Sequence, residues 1–365
     1  MREQERSRRT AQRPSSQTAS LRAASHAVGA SGGHGRGHRR DDERDARDEK
    51  KLKTWKKALI ISLAALVVLV LAAVAVVFTY IGSLDRKLAM DPIELDDLQQ
   101  VTVPQPSDPK EPYYILVLGS DARQQGATSR SDTIMLCRLD PEANSASILS
   151  IPRDTKVELA GRGTQKINAA LAFGGPAGAV KAVSDFVGVE IAHVVLIDFE
   201  GFADLVDRLG GVTINVPAYS TYEGIELQPG LQTLNGAQAL VFVRDRYSYA
   251  LGDFQRAANQ RTLLKAIARK IIEAPANEIP GYVNSLAECT TTDLTAKELI
   301  DLALSFRGMN VDADMYTGQV PSTTGMIGNV SYVLTKEEEW AGVREKFVNG
   351  VVPFVDESNQ PAVVE

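Results

Sequence analysis

The feature that most limits this chain is ALIISLAALVVLVLAAVAVVFTY, Ala58–Tyr80, a run of 23 residues without a charge. A helix of about 20 apolar residues crosses a bilayer. Lys51, Lys53, Lys56 and Lys57 stand just before it, and positive flanks stay in the cytoplasm. Trp55 and Tyr80 suit the two interfaces. A cleaved signal peptide would have an apolar region of only about 7–15 residues and a short leader. Here the leader is residues 1–57. The run therefore reads as a signal anchor over residues 58–80, with the N-terminus cytoplasmic and the bulk of the protein extracytoplasmic.

Charge is divided the same way. Residues 1–57 carry 16 Lys/Arg and 8 Asp/Glu, a net of +8, whereas the remainder carries a net of −14. The leader is rich in Arg, Ser, Gly and Ala and lacks apolar periodicity, so it is expected to be disordered. Such a basic juxtamembrane tail suits anionic membrane lipid. No nucleic-acid partner is expected. The two cysteines, Cys137 and Cys289, both follow the span, and an even pair outside the membrane is compatible with one disulfide.

Beyond the span, residues 81–110 hold Pro92, Pro104, Pro106 and Pro109 among many acids and read as a stalk. Residues 111–350 read as one domain, and residues 351–365 as a loose tail. YYILVLG is a continuous apolar run rich in β-formers, as in a strand buried on both faces. TIMLCRL, ASILSI, AHVVLIDF and VTINV read as further strands. INAALAFG, PAGAVKAVSDFVG and EGFADLVDRLGG read as helices between them. ALVFVR is ambiguous between strand and helix, although Asn235 and Gly236 could open a short helix. A long helix is expected over Asp253–Ile272. TAKELIDLALSFRG and TKEEEWAGVREKFVNG read as helices, each with a Thr cap. This alternation predicts an α/β/α sandwich with a mixed central sheet.

After the span the chain has one histidine, His193, at the start of a strand. A Ser-His-Asp apparatus or a zinc site has little to draw on. Chemistry must come from arginines and carboxylates. On a helical wheel, Asp253, Arg256 and Gln260 fall within about 60° of one another. Leu263, Leu264, Ile267 and Ile271 continue that stripe. The stripe is thus polar at its start and apolar afterwards, so its first turns should face a cleft at the edge of the core. Asp121 follows the first strand, Arg130 and Asp132 precede the second, and Arg153 and Asp154 follow the third. Ligands bind at such strand ends. Several arginines with two carboxylates suit phosphoryl transfer: guanidinium forks fit phosphate oxygens, and Mg²⁺ takes one or two carboxylates plus phosphate oxygens. No glycine-rich nucleotide loop is present.

YYILVLGSDAR, RSDTIML, LSIPRDTKV, KINAALAFGGP, VVLIDFEGFADLVDRLGGVTINV, LQPGLQTLNGAQALVFVRDR and GDFQRAANQ together resemble the LytR-CpsA-Psr family of cell-wall enzymes, in the family's order. The resemblance implies a hydrophobic cleft for a polyprenyl chain. It implies transfer of a phosphoglycan from a polyprenyl-pyrophosphate carrier to peptidoglycan. The cargo would be of teichoic acid, capsular polysaccharide or arabinogalactan type. Asp121 and Asp132 would hold Mg²⁺ (or Mn²⁺). Arg130, Arg153, Arg244, Arg246 and Arg256 would bind the pyrophosphate, with Asp253 and Gln260 orienting Arg256 and meeting the phosphates. Asp154 is the candidate general base, and Arg123 and Lys166 are further phosphate candidates. The cysteine pair also resembles one in actinobacterial members. One departure is visible: Asn259 stands where the family often has a second arginine. The competing readings are a non-enzymatic receptor or attenuator of lipid-linked intermediates, and a pyrophosphatase that uses water as acceptor.

Overall fold

The structure is a computed structural model that describes residues 38–120, 130–249 and 251–355. The chain divides into two units, Met1–Ala72 and Ala73–Glu365. The elements in chain order begin with helices α1 (His38–Leu88) and α2 (Pro92–Gln99), then strands β1 (Tyr113–Ser120), β2 (Thr133–Asp140), β3 (Ser145–Ser150), β4 (Lys156–Leu159) and β5 (Gly163–Lys166). Next come α3 (Ala169–Val187), β6 (His193–Asp198), α4 (Phe199–Arg208), β7 (Val212–Val216), β8 (Ser220–Tyr222), β9 (Ile225–Leu227), β10 (Gly230–Leu234), α5 (Gly236–Arg244) and α6 (Asp253–Glu273). The last are α7 (Ile279–Leu286), β11 (Thr290–Thr292), α8 (Ala296–Ser305), α9 (Val311–Asp314), β12 (Met315–Gln319), β13 (Ser322–Ile327), β14 (Val330–Thr335) and α10 (Glu337–Val348).

Within α1, Thr54–Leu88 is long and apolar enough to cross a membrane. In the second unit the core is a six-stranded mixed sheet in the order β11-β6-β1-β2-β3-β12. β1 runs parallel to β6 and antiparallel to β2, and β12 runs parallel to β3. The C-terminal ends of β1, β3, β6 and β12 therefore meet the start of β2 along one edge. The alternation of β1 explains the layers. Leu116 and Leu118 pack with Val180 and Val183 of α3 and Trp340 and Phe347 of α10, whereas Ile115 faces Ile272 of α6 and Phe306. The mixed α/β sandwich expected from the sequence is the one observed.

Some local expectations are settled and others corrected. ALVFVR is helical: Asn235 caps α5 and exchanges hydrogen bonds with Gln238 in a capping box. VTINV is a strand, but β7 pairs only with β10, outside the central sheet. Thr335 belongs to β14, and Lys336 occupies the cap position of α10. Residues 81–110, read as a stalk, contribute Leu84, Leu88, Met90 and Leu98 to the buried cores of this unit. Phe354 and Val355, read as loose tail, are buried against the sheet.

The expected disulfide is absent: both cysteines are free and buried. Cys137 lies on β2 opposite Ile115 of β1, which is opposite His193 at the start of β6. Cys289 bonds the amide of Asp198 at the far end of β6. Three strand spacings of about 4.8 Å and five residues along the sheet separate them, far beyond the roughly 7 Å limit for bridging. Burial also pushes the two thiols up, to about 12 and about 11, so neither is a ready thiolate.

Candidate active site

The site is built where β2, β3 and β12 reach the common edge and α6 begins. Gly252, with φ of +50°, turns the chain into α6 from a left-handed conformation that other residues rarely adopt. At the start of α5, a Cβ on Gly236 would lie 2.1 Å from the carbonyl oxygen of Ala203, so only glycine lets α5 pack on α4. Two side chains of α6 then hold the end of α5: Asn259 Nδ2 donates to the Phe242 carbonyl at 2.9 Å and Gln260 Nε2 to the Val243 carbonyl at 3.5 Å. These are among the last carbonyls of α5, which lack helical partners. Asp245 follows, buried, and its carboxylate accepts from Ser220 Oγ and from the amides of Thr221, Tyr247 and Ser248. Burial pushes Asp245 up, but these hydrogen bonds outweigh it and hold it below the usual carboxylate range.

The result is a cleft of about 180 Å³ lined by Asp132, Arg153, Asp154, Asp253, Arg256 and Gln260, with further residues from β2, β3, β12, α6 and the β13–β14 hairpin. Arg153 is its hub. Its Nη1 donates to Asp132 Oδ1 at 2.5 Å, and its Nε lies 3.6 Å from Asp253 Oδ2 and 4.0 Å from Asp154 Oδ2. Arg256 Nη2 lies 2.8 Å from Asp253 Oδ1 and 3.4 Å from the Asp132 carbonyl. Lys166 holds Asp154 at 3.0 Å. Burial pulls Arg153 down, but Asp253, Asp132 and Asp154 outweigh it and raise its pKa. Arg256 is shifted the other way: burial, with the cations of Arg153 and Arg246, outweighs Asp253 and Asp132. The inner guanidinium is thus the more deeply buried of the two, and Asp253 is its ion-pair partner. Partly exposed ion pairs contribute at most about 1 kcal/mol each, so stability does not account for this concentration of charge.

Beside the cleft lies a small apolar slot lined by Val117, Met135, Ile197, Phe202, Val243 and Leu264, and the two cavities share Thr133 and Gln260. The stripe on α6 runs as expected, from Asp253 and Arg256 in the cleft to Leu263 and Ile267 in the core.

Not every expected residue converges. Arg130 is exposed before β2, outside the cleft. Arg244 ends α5 and does not line the cleft either. Arg246 rests on Tyr247, its Nη2 2.7 Å from the phenolic oxygen, although its charge reaches Arg256. Asp121 and Arg123 lie outside the described residues. Among the described residues no group of three His, Cys, Asp or Glu is placed to hold a metal. The sequence reading missed the β13–β14 wall, with Thr324, Ser331 and Tyr332 on the cleft. The Gly328-Asn329 dipeptide between two β-rich runs was its signal.

The model of the LytR_cpsA_psr family matches residues 81–348. The chain is 34% identical over 242 residues to a polyisoprenyl-teichoic acid–peptidoglycan teichoic acid transferase TagU from Halalkalibacterium halodurans, covering 64% of this chain and 78% of that one. It is 30% identical over 246 residues to the TagU of Enterococcus faecalis, covering 66% and 80%. Among solved structures, Bacillus subtilis TagV superposes with a TM-score of 0.61 at 29% identity, over 66% of this chain and 98% of that one. A structure of TagT bound to LI-WTA superposes with a TM-score of 0.57 at 27% identity, over 68% and 94%. The chain belongs to the LytR_cpsA_psr family and is an enzyme, a phosphotransferase.

Proposed function

From that membership we propose that this enzyme transfers a phosphoglycan from a polyprenyl-pyrophosphate carrier to peptidoglycan, with the cargo of teichoic acid, capsular polysaccharide or arabinogalactan type. The observation that carries the reading is the pairing of an arginine-rich cleft with an apolar slot through shared Thr133 and Gln260. A lipid diphosphate has the matching halves, a dianionic head and an apolar chain. Arg153 and Arg256 hold the diphosphate oxygens. Arg246 swings from Tyr247 to join them, and Arg130 and Arg244 flank the entrance. An acceptor hydroxyl of peptidoglycan attacks the phosphorus nearest the glycan. The new phosphodiester bond forms as the bond to the polyprenyl phosphate breaks, and polyprenyl phosphate leaves with the electron pair. The hydroxyl proton passes to a cleft carboxylate, for which Asp154 is the candidate. Little proton removal is needed in a loose transition state, so fixed positive charge carries most of the catalysis.

The same reading includes a divalent ion. Mg²⁺ keeps its waters and needs one or two carboxylates when phosphates complete its shell, and Asp132, on the cleft wall, with Asp121 would hold it. When bound it neutralises charge on the diphosphate. The apolar helix of α1 serves as the anchor, with the basic leader on cytoplasmic anionic lipid and the catalytic unit outside.

The test uses the full chain in detergent with a polyprenyl-pyrophosphate glycan and Mg²⁺, with and without a peptidoglycan oligomer. Release of polyprenyl phosphate that requires the oligomer supports transfer. Equal release without it would replace transfer with hydrolysis.

A further inference from the structure

A second crevice, of about 440 Å³, opens where α3 and α10 cover β4. The diphosphate reading makes no use of it, yet two strands lead to it from the cleft. Arg153 and Asp154 line the cleft, and β4, which follows them, lines the crevice. Tyr332 and Val333 of β14 line the cleft, and Thr335 at the end of that strand lines the crevice. The two strands run side by side in one direction. Thr155 and Val333 form a parallel bridge, and the Val333 amide donates to the Asp154 carbonyl at 2.9 Å. At about 3.3 Å per residue, Lys156 lies within about 7 Å of Asp154 and Leu159 within about 17 Å.

The lining has two characters. Val157 and Leu159 pack against the core, and Phe186 stacks on the buried Trp340 with ring centroids 5.2 Å apart and planes 9° apart. These side chains give an apolar floor. The rim is charged, with both signs. Lys156 and Arg344 are exposed cations and Glu337 is an exposed carboxylate. None of these three side chains has an ion pair or hydrogen bond among the described residues. The other rim carboxylates are engaged already, Asp185 by Lys181 at 3.0 Å and Glu158 by the Thr164 hydroxyl. Glu337 and Arg344 stand seven residues apart on α10, about 10 Å along its axis, so they remain separate poles. A ligand that carries both signs, with apolar groups between them, matches this pattern.

We propose that this crevice is a subsite for the peptide branch of the peptidoglycan acceptor. A peptide carboxylate meets Lys156 and Arg344, a peptide amino group meets Glu337, and the aliphatic side chains between them lie on the floor beside Phe186. Charge complementarity favours the zwitterionic peptide over the neutral sugars of the same acceptor. None of these residues touches the reacting atoms. They hold the acceptor so that its sugar hydroxyl falls at the cleft, which is a gain in position and orientation. This rests on the transfer reading of the cleft.

The test compares full-length wild type with Lys156→Ala, Arg344→Ala, their double variant, Arg344→Lys and Glu337→Gln in detergent. Calorimetry gives Kd for a free tetrapeptide, L-Ala-γ-D-Glu-diaminopimelate-D-Ala. Steady-state kinetics give KM and kcat for a peptidoglycan oligomer with its peptides, for the same oligomer stripped of them by an amidase, and for the lipid-diphosphate glycan. Each single charge removal should raise Kd and the KM for the intact oligomer by about fivefold, in the range of exposed charge pairs. The double variant should raise both by at least about tenfold, and Arg344→Lys should keep most of the affinity. The melting temperature, kcat, the KM for the stripped oligomer and the KM for the lipid should stay at wild-type values. Equal KM of wild type for the intact and stripped oligomers, or variants that move the KM for the lipid as much as that for the oligomer, would overturn the proposal and leave transfer standing. A wild type that binds the tetrapeptide through these residues but transfers nothing would overturn the transfer reading and keep the crevice as a peptide site. A wild type that neither binds the tetrapeptide nor transfers would overturn both.

Discussion

The two ends of the central sheet both carry charge, and they carry it differently. At one end, Asp132, Arg153, Asp154, Asp253 and Arg256 interlock around an open cleft. At the other, His193 Nδ1 meets Asp293 Oδ2 at 2.8 Å, and Asp293 Oδ1 accepts from the Val194 amide at 2.8 Å. There the pair is packed edge-on against Tyr113, which burial and then Glu298 push up to about 12. In the second cluster each Asp293 oxygen has its partner and the strand is stapled to the segment before α8, with His193 Nε2 buried and unpartnered among the described residues. The first is open, with Asp253 shared between Arg153 and Arg256 and both cations lining a cavity. Charge alone does not mark a site. Charge that lines a cavity does.

That contrast predicts where substitutions stop turnover and where they only loosen the fold. The largest effect is expected at Arg256. Arg256→Ala removes the cation nearest the cleft interior and should lower kcat/KM by about 10³-fold, in the range of arginines that stabilise transferring phosphoryl groups. The melting temperature should be nearly unchanged, because a buried cation is removed rather than stranded. Asp253→Asn should cost less, about 10–100-fold, since it misorients Arg153 and Arg256 without removing either. Steady-state kinetics with thermal melts would check both. At the opposite end the pattern should invert. Asp293→Ala leaves the Val194 amide without its partner and should cost about 1–3 kcal/mol of stability, with kcat/KM unchanged below the melting range. A loss of activity there at full folding would erase the distinction between the two ends.

Two smaller effects sharpen it. The folded-state pKa of Asp245 lies below its unfolded value. Its contribution is therefore complete above the ordinary carboxylate range and is lost as pH falls through the folded value. Stability measured from about pH 5 downward should fall less steeply in Asp245→Asn than in wild type. Last, because Cys137 and Cys289 are free, a thiol reductant should leave the melting temperature unchanged. A downward shift would restore the bridge.

The sandwich was legible because YYILVLG and its neighbours are buried on both faces, and such strands show as unbroken apolar runs. The site was legible at α6, where Asp253, Arg256 and Gln260 share a stripe that turns apolar. What stayed hidden depends on distant partners. Arg244 and Arg246 resemble Arg256 in the sequence, yet only Arg256 points into the cleft, because the Asp245 anchor turns the chain between them. Leu84 and Leu98 follow the apolar span among acids and prolines, and only packing on the domain reveals them as core. Cys137 and Cys289 are an even pair, but sequence carries no distance between β2 and the end of β6.

The central claim, that the open end of the sheet performs phosphoryl transfer to a glycan acceptor, is tested most directly by the mass of the acceptor. Full-length wild type and Arg256→Ala would be incubated with a polyprenyl-pyrophosphate glycan, Mg²⁺ and a peptidoglycan oligomer, and the oligomer analysed by mass spectrometry. A phosphodiester-linked glycan on the oligomer with wild type, and none above background with Arg256→Ala, is the predicted result. The same adduct at the same rate from both proteins would contradict the account.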